Sequence, residues 1–187
     1  MLHKLQCILS YYTMENIKTL PNVQVEILDC IEDAELVEEY KGYASEQLYN
    51  YEGQHPWNAC KKGDTLYIVI SVIPPDTLIL GWMKVEVEKK YDPLHVGFIL
   101  NFATAKKAYK GIGTYMMDVV EQDLKKKGIH FIELSPLSSA VGFYRKMGYV
   151  PLAEEQYYKW ISDDPEGQFR IELTAYKESI QQDLDEE

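Results

Sequence analysis

Alternating hydrophobic positions near the start of the chain predict a strand, and helical spacing follows it. Val23–Leu28 alternates apolar and polar residues with a period of two, which is typical of a strand with one buried face. Between residues 34 and 51 the apolar positions fall near helical spacing, so we expect one helix there, or two if Gly42 interrupts it. Three further runs have strand character: Thr65–Ile73, Leu78–Glu88 and His95–Ala103. Because short turns connect these three runs, they should form an antiparallel meander.

The best-defined helix follows the meander. Its apolar side chains lie on one stripe over three turns: Ile112, Tyr115, Met116, Val119, Val120 and Leu124. Gly128 suits the position just after a helix end, and the apolar run Ile129–Leu134 predicts a buried strand. A strand, a helix and a strand with connections of this length predict a right-handed βαβ unit and a parallel strand pair.

Shorter elements complete the pattern. Ser139–Met147 predicts a short helix that Gly148 closes, and Tyr149–Leu152 predicts the start of another strand. Tyr157–Ile161 is compatible with a strand as well, and Gln168–Tyr176 alternates like a last one. The predicted fold class is therefore α/β, an α+β mixed sheet in which an antiparallel meander precedes a βαβ unit.

The length of the chain bounds the number of domains. A chain of 187 residues typically forms one domain with a sizeable core. We expect this domain to span residues 22–177. Residues 1–21 then form an N-terminal extension, and residues 178–187 form an acidic C-terminal tail.

Charge is unevenly distributed along the chain. The net charge of −11 and the hydrophobic content of 46% are typical of a folded globular protein. Eleven acidic residues lie in 154–187, whereas the loop that precedes the amphipathic helix carries Lys106, Lys107 and Lys110. A positive loop on a negative body favours an anionic ligand at the loop and attracts a cation elsewhere. The absence of an extended basic face argues against nucleic acid as a partner.

Cysteine usage and hydropathy bear on location. Cys7, Cys30 and Cys60 are far apart and odd in number, and no Cys-x-x-Cys pair or Cys/His cluster accompanies them. The pattern supports neither a disulfide framework nor a metal site, so we expect a reducing, cytoplasmic compartment and no metal. No apolar run approaches the roughly 20 residues that span a bilayer, and Met1–Leu9 lacks the features of a signal peptide. We therefore expect no membrane partner.

The loop before the amphipathic helix has the features of an anion site. Gly111 and Gly113 permit close backbone approach, and free N–H groups at a helix start attract negative charge. The lysines of the loop add cationic side chains. A Gly-x-Gly pair alone is a weak signal, so a basic loop with two turn glycines remains the alternative.

Two motifs resemble the GNAT superfamily of acetyl-CoA-dependent N-acetyltransferases over roughly residues 23–176. They are Lys110-Gly111-Ile112-Gly113 and, about thirty residues later, Ala140-Val141-Gly142-Phe143-Tyr144-Arg145-Lys146-Met147-Gly148-Tyr149. The second motif is the more specific, because alanine, Phe-Tyr, lysine and Gly-Tyr stand at fixed intervals. The resemblance implies a GNAT fold, in which the strand before the Gly-loop splays from the next parallel strand.

The resemblance also implies where acetyl-CoA binds. Backbone N–H groups of the Gly-loop would hold the pyrophosphate, and the strand end would pair with the pantetheine arm. The backbone positions carried over are the strand end, Asn101, Phe102 and Ala103, and the loop with its helix start, Tyr109, Lys110, Gly111, Ile112, Gly113 and Thr114. Lys107 and Ala108 directly before them are counted with the site, and contacts of Lys106, Lys107 and Lys110 with phosphate oxygens are predicted from charge rather than from the motif. Phe143 and Tyr144 join them from the second motif, and Ser138 or Ser139 is the candidate to replace the side-chain contact of the family asparagine. The family often has Arg or Gln at the position of Ala108, Gly at Tyr109 and Asn at Leu137, so binding should rely on backbone donors and lysines.

The expected chemistry needs an acid and a base. Tyr144 matches the family tyrosine that protonates the departing thiolate, and its reference pKa near ~10 keeps it protonated at neutral pH. Gly97 and Ile99 occupy the usual positions of the base and cannot take a proton. His95 is the nearest candidate on the same strand face. Other candidates stay open: Glu52, His55, Glu86, Glu88, Glu133 and an ordered water.

The expected acceptor is a primary amine, either a small polyamine-like or aminoglycoside-like amine or a protein amine. Aromatic and acidic residues gather in residues 34–60 and after Tyr149, and they suit a cationic amine such as a polyamine, an aminoglycoside or a protein amine. The alternative function is a catalytically weak GNAT-fold module that binds acyl-CoA or a protein. Monomer and homodimer are both compatible with the sequence.

Overall fold

A computed structural model describes residues 23–47, 61–73, 76–91, 94–104, 110–152 and 155–163, together with Thr174 and Glu178. These residues form seven strands, three α-helices and one short 3-10 helix. The strands are β1 (Val23–Asp29), β2 (Thr65–Ile73), β3 (Asp76–Tyr91), β4 (Leu94–Thr104), β5 (Phe131–Leu134), β6 (Val150–Pro151) and β7 (Tyr157–Trp160). The helices are α1 (Ala34–Gln47), α2 (Ile112–Lys126), α3 (Val141–Lys146) and the 3-10 helix Ser138–Ala140.

The chain divides into two compact units. The first comprises Met1–Lys84 and Asn101–Val119, and the second comprises Val85–Leu100 and Val120–Glu187. The boundaries of the predicted domain, extension and tail stay predictions. Residues 1–21 lie outside the described part of the chain, and of the tail only Glu178 is described.

In the first unit the strands lie in the order β1-β2-β3-β4. β1 pairs antiparallel with β2, from Val23 opposite Ser71 to Asp29 opposite Thr65. The alternation of β1 places Leu28 in the core, where α1 contributes Val37 and Tyr40. The members of this core are Leu28, Cys30, Val37, Tyr40, Leu66, Ile68, Ile70, Ile79 and Trp82. Burial of these side chains at about 25 cal/mol per Å² holds α1 against the strands.

In the second unit the order is β3-β4-β5-β7-β6. β4 and β5 are parallel, from Val96 opposite Phe131 to Ile99 opposite Leu134, as the βαβ pattern predicts. β5 ends at Leu134, whereas β4 continues to Thr104. β7 is antiparallel to both β5 and β6, which confirms the strand predicted at Tyr157–Ile161.

The amphipathic helix forms as its hydrophobic stripe predicts. Of the six predicted stripe residues, Val119 is half-buried and the other five are buried: Ile112, Tyr115, Met116, Val120 and Leu124. Gly128 follows the helix with a φ of 78°, a conformation that glycine adopts without strain. The α+β mixed sheet predicted from the sequence is thereby confirmed.

Two expectations from the sequence are wrong. Cys30 is disulfide-bonded, although cysteine spacing gave no support for a disulfide. Cys7 and Cys60 lie outside the described residues, and the bond removes the cysteine argument for a reducing compartment. Of the strand predicted at Gln168–Tyr176 only Thr174 is described, and it is helical.

Among the described residues no helix is both long and apolar enough to cross a membrane.

A buried ion pair was not evident from the sequence. Lys84 lies on the same side of β3 as Glu86, where the alternating pattern is compatible with exposure to solvent. The side chain of Lys84 is nevertheless only 5% exposed. Its Nζ lies 3.4 Å from Oδ2 of Asp64, whose side chain is 1% exposed. The same Oδ2 accepts the backbone N–H of Lys61 at 3.0 Å. Both charges are therefore removed from water and compensated locally.

Removal of one partner of this pair should be costly. Lys84→Met leaves the carboxylate of Asp64 buried without its cation, so we expect a loss of about 3–5 kcal/mol in the free energy of unfolding. The matched control is Lys125→Met, because Lys125 pairs with Asp163 at 2.6 Å on the surface, and such pairs contribute about 0–1 kcal/mol. Urea unfolding at pH 7 measures both. Equal losses in the two variants would contradict the assignment of a buried pair.

Candidate functional site

The start of α2 places first-turn backbone N–H groups beside an open glycine. Gly111 has a φ of 103°, and a Cβ placed there would meet no atom within 4 Å. Its carbonyl accepts the N–H of Tyr115 at 2.9 Å, which begins the helical hydrogen-bond series. The N–H groups of Ile112, Gly113 and Thr114 belong to the first turn of α2. Backbone donors of a first helical turn are the ones that capping groups or anions usually bind. Lys110 and Thr114 are exposed.

The end of β4 also lies in the first unit. Asn101, Phe102 and Ala103 are half-buried, and their pairing with the pantetheine arm stays a prediction. Gly81 on β3 determines how closely the neighbouring strand approaches. A Cβ at Gly81 would lie 3.0 Å from the carbonyl oxygen of Ala103 and 3.4 Å from Cγ2 of Ile112.

Gly81 was missed by the sequence analysis. A glycine inside an apolar strand often marks close backbone approach, and Gly81 stands within Leu78–Glu88, so that signal was present. The predicted residues Lys106, Lys107, Ala108 and Tyr109 lie outside the described residues. Their roles in cofactor binding stay predictions.

Tyr144 lies on α3 in the second unit and is 7% exposed. Its ring meets the ring of Phe143 at a centroid distance of 5.1 Å and that of Tyr149 at 5.7 Å, both edge to face. Such aromatic pairs restrict the orientation of the phenol.

The spacing of the second motif follows from the way α3 ends. Gly148 has a φ of 89° and donates its N–H to the carbonyl of Arg145 at 3.1 Å. Tyr149 donates its N–H to the carbonyl of Tyr144 at 3.0 Å. These two bonds form a Schellman motif, which needs glycine at the left-handed position. The chain reversal at Gly148 therefore returns Tyr149 to the ring of Tyr144.

A polar network joins α2 to Tyr149 and β7. The hydroxyl of Tyr149 donates to Oε1 of Glu121 at 3.3 Å, and Nζ of Lys159 lies 2.6 Å from Oε2 of the same carboxylate. Lys159 also stands 5.8 Å from the centre of the Tyr149 ring. Burial, reinforced by the charge of Glu121, raises the pKa of the Tyr149 phenol far above its usual value, so Tyr149 stays neutral.

The remaining residues of the second motif lie near the surface. Leu137 is 67% exposed, and its carbonyl accepts the N–H of Ala140 at 2.8 Å. Ser139 is exposed in the 3-10 helix, and Phe143 is half-buried. Ser139 is therefore accessible to a ligand, and its predicted contact with the cofactor stays a prediction.

His95 lies at the start of β4 and contacts His130. Its backbone N–H donates to Nδ1 of His130 at 3.0 Å, and its carbonyl accepts the N–H of His130 at 2.9 Å. Asn101 lies six positions further along β4, which is about 20 Å in an extended strand. The catalytic role of His95 stays a prediction, and this separation disfavours it.

The usual position of a base on β4 is filled by packing. A Cβ at Gly97 would lie 3.0 Å from Cδ1 of Leu124 and 3.5 Å from Cγ2 of Ile129. A larger side chain at this position would collide with α2. Of the other candidates, Glu86 is half-buried and Glu133 is buried, while Glu52 and His55 lie outside the described residues.

No group of three or more His, Cys, Asp or Glu side chains within the described ranges is arranged to hold a metal ion.

Comparisons with known proteins give a family match over part of the chain and a likeness in fold. Residues 77–165 match the family model for the acetyltransferase (GNAT) domain. No curated protein sequence matches the chain.

Three solved structures illustrate the likeness in fold. Arabidopsis thaliana NAA60 in complex with acetyl-CoA has a TM-score of 0.55 at 9% identity, over 75% of this chain and 99% of that one. Tetrahymena GCN5 has a TM-score of 0.51 at 14% identity, over 74% and 96%. An aminoglycoside acetyltransferase from an uncultured soil metagenomic sample has a TM-score of 0.50 at 17% identity, over 71% and 90%. At these identities the likeness establishes the fold, and the predicted GNAT fold is confirmed.

A methyl group at Gly81 should weaken coenzyme A binding. In Gly81→Ala the new Cβ displaces the carbonyl of Ala103, which is the predicted partner of the pantetheine arm. We expect at least about a tenfold rise in the Kd for coenzyme A, equal to about 1.4 kcal/mol. Calorimetric titration measures it. The control is Gly142→Ala, where a Cβ meets no atom within 4 Å. Unchanged affinity in Gly81→Ala would show that this carbonyl is not needed for binding.

The network around Tyr149 predicts a loss of stability at alkaline pH. The folded pKa of Tyr149 is raised above the unfolded value near ~10, so its contribution is complete below pH ~10 and is lost as pH rises above it. The slope is about 1.4 kcal/mol per pH unit for one such group. We compare urea unfolding of the protein and of Tyr149→Phe at pH 8 and pH 11. From pH 8 to pH 11 the free energy of unfolding of Tyr149→Phe should fall by about 1.4 kcal/mol less than that of the unsubstituted protein. Equal decreases in the two proteins would exclude a buried neutral phenol at Tyr149.

Proposed function

Because residues 77–165 form a GNAT acetyltransferase domain, we propose that the protein transfers an acetyl group from acetyl-CoA to a primary amine by direct attack. The observation that carries the proposal beyond the family is the start of α2. There Gly111 leaves open space next to the first-turn backbone N–H groups, which we propose bind phosphate oxygens.

The residues of this chain fit the pyrophosphate of coenzyme A. The N–H groups of Ile112, Gly113 and Thr114 coincide with the positive end of the α2 dipole, which favours an anion. Lys110 is exposed beside them and adds a positive charge. The backbone at Asn101–Ala103 is proposed to pair with the pantetheine arm, which supplies the thioester.

Tyr144 is proposed as the acid that protonates the thiolate of coenzyme A. Its contacts with Phe143 and Tyr149 restrict the ring, and restriction of a catalytic group lowers the cost of reaching the reactive geometry. A phenol with a reference pKa near ~10 begins protonated at neutral pH and can donate to a thiolate.

The acceptor is proposed to be a cationic amine. The net charge of −11 favours a cation at sites away from the basic loop. One of the similar folds belongs to an aminoglycoside acetyltransferase, and aminoglycosides are polycationic amines. Acceptors for the first assay are therefore an aminoglycoside, a polyamine and a peptide with a free N-terminus and a lysine.

The rival function is an acyl-CoA-binding module without turnover. The observation that favours it is the packing at Gly97, which leaves no room for a base at one of the two usual positions on β4, while the other holds Ile99. Release of free coenzyme A from acetyl-CoA, measured with a thiol reagent in the presence of each amine, separates the two functions. Amine-dependent release supports the enzyme. Tight coenzyme A binding without release by any amine supports the module.

Replacement of Tyr144 separates catalysis from binding. Tyr144→Phe removes only the hydroxyl, so we expect kcat to fall by about 100-fold while the Kd for coenzyme A changes less than about threefold. The matched control is Tyr157→Phe, because Tyr157 is similarly buried at 8% and its hydroxyl instead accepts a hydrogen bond from Arg145 at 3.2 Å. A Tyr144→Phe enzyme with normal kcat would remove Tyr144 from the mechanism.

A further inference from the structure

The two faces of the sheet in the second unit can be assigned from side-chain contacts and strand register. Gly97 faces Leu124 of α2, and Lys159 contacts Glu121 of α2. Register places Ile132 beside both Gly97 and Lys159, so these positions share the α2 face. Side chains alternate along a strand, and the next row therefore points to the opposite face.

That next row consists of Phe98, Glu133 and Tyr158. Glu133 on β5 is opposite Phe98 of β4 on one side and Tyr158 of β7 on the other. Directly neighbouring side chains on one face of a sheet lie about 4.5–5.5 Å apart at Cβ. A carboxylate thus stands between two aromatic side chains on the face away from α2.

Glu133 is a buried charged residue, with 4% exposure, whereas Phe98 and Tyr158 are only half-buried. The aromatic surroundings extend further, because the ring of Phe131 lies 6.2 Å from that of Tyr158 and stacks on Trp160 at 6.0 Å. A carboxylate with aromatic neighbours is the chemistry that binds an ammonium group, by charge pairing and by cation–π contact.

Tyr144 belongs to the other side of the sheet. Its ring contacts Tyr149, and the hydroxyl of Tyr149 is bonded to Glu121 of α2. Glu133 is also the last residue but one of β5, directly before the end of pairing with β4 at Leu134. An acid on the α2 face and a carboxylate on the opposite face therefore flank β5.

We propose that Glu133 is the general base of the acetyl transfer, and that the acceptor is a cationic amine which approaches the sheet from the face opposite α2, along Phe98 and Tyr158. The inference rests on the proposed function and adds the base and the direction of approach to it.

The proton and bond changes balance without another reactant. The carboxylate of Glu133 takes one proton from the ammonium of the acceptor and later releases it to water. The amine nitrogen attacks the thioester carbonyl, a C–N bond forms and the C–S bond breaks. Tyr144 gives its proton to the thiolate, and the second proton lost by the nitrogen restores the phenol. The products are the amide, coenzyme A and one proton.

The test is a comparison of substitutions that change charge without changing shape. Glu133→Gln should lower kcat/KM for the best amine by about 100-fold and leave the Kd for coenzyme A within about threefold. The acidic limb of its pH–rate profile should disappear, which loss of packing alone would not cause. The control Glu155→Gln replaces an exposed glutamate and should leave rate and profile unchanged.

A second variant covers the case in which glutamine does not fit the buried site. Glu133→Asp keeps the charge but withdraws it by one methylene, so kcat/KM should fall while the acidic limb remains. An unreactive quaternary ammonium analogue of the acceptor supplies a binding readout. It should inhibit Glu133→Gln, or Glu133→Asp if the first variant does not fold, about tenfold more weakly than the unsubstituted enzyme.

The outcomes distinguish this inference from the function on which it rests. If the unsubstituted protein releases coenzyme A with an amine, and Glu133→Gln or Glu133→Asp retains full activity and an unchanged pH profile, the role of Glu133 is overturned and the function stands. A loss that follows His95→Gln but not Glu133→Gln overturns it in favour of His95. If no amine supports release by the unsubstituted protein, the proposed function fails, and the role of Glu133 fails with it.

Discussion

Glu121 supplies the contact on which the arrangement of the second unit depends. Its two carboxylate oxygens bind the hydroxyl of Tyr149 and the ammonium of Lys159, so one side chain of α2 holds both β7 and the segment after α3. The carboxylate is 14% exposed and the lysine 26%, so the pair is shielded more than a typical surface ion pair. Because Tyr149 contacts Tyr144, the orientation of the proposed acid depends on a charge that lies on another element.

Glycines also determine the arrangement, because they stand at positions where a side chain would strain a turn or keep two elements apart. Gly148 adopts a positive φ that turns the chain back after α3. Gly81 and Gly97 instead permit contact, the first with the backbone of Ala103 and the second with Leu124. The contact at Gly97 has a chemical consequence, since a position that receives helix packing cannot carry a base. This is why the proposed proton acceptor is the buried carboxylate of β5 rather than a side chain of β4.

Much of the fold could be predicted because local patterns and tertiary packing agree. The stripe of α2 is buried as its spacing requires, and the meander and parallel pair follow from connection lengths. The buried ion pair of Lys84 and the disulfide of Cys30 could not be predicted from the sequence, because each joins residues that only folding brings together. The same limit applies to the site. Gly111 and Tyr144 carry motifs, whereas the environment of Glu133 depends on strand register, which alternation alone does not specify.

The shortness of β6 bears on self-association. This strand is the last in the order of the second unit and consists of Val150 and Pro151 only. Proline has no backbone N–H to offer a neighbouring strand, and a two-residue edge has too few groups for a stable ladder. Within the part of the chain that the structure describes, the exposed side chain of Val150 therefore borders an edge that offers few backbone groups to another chain.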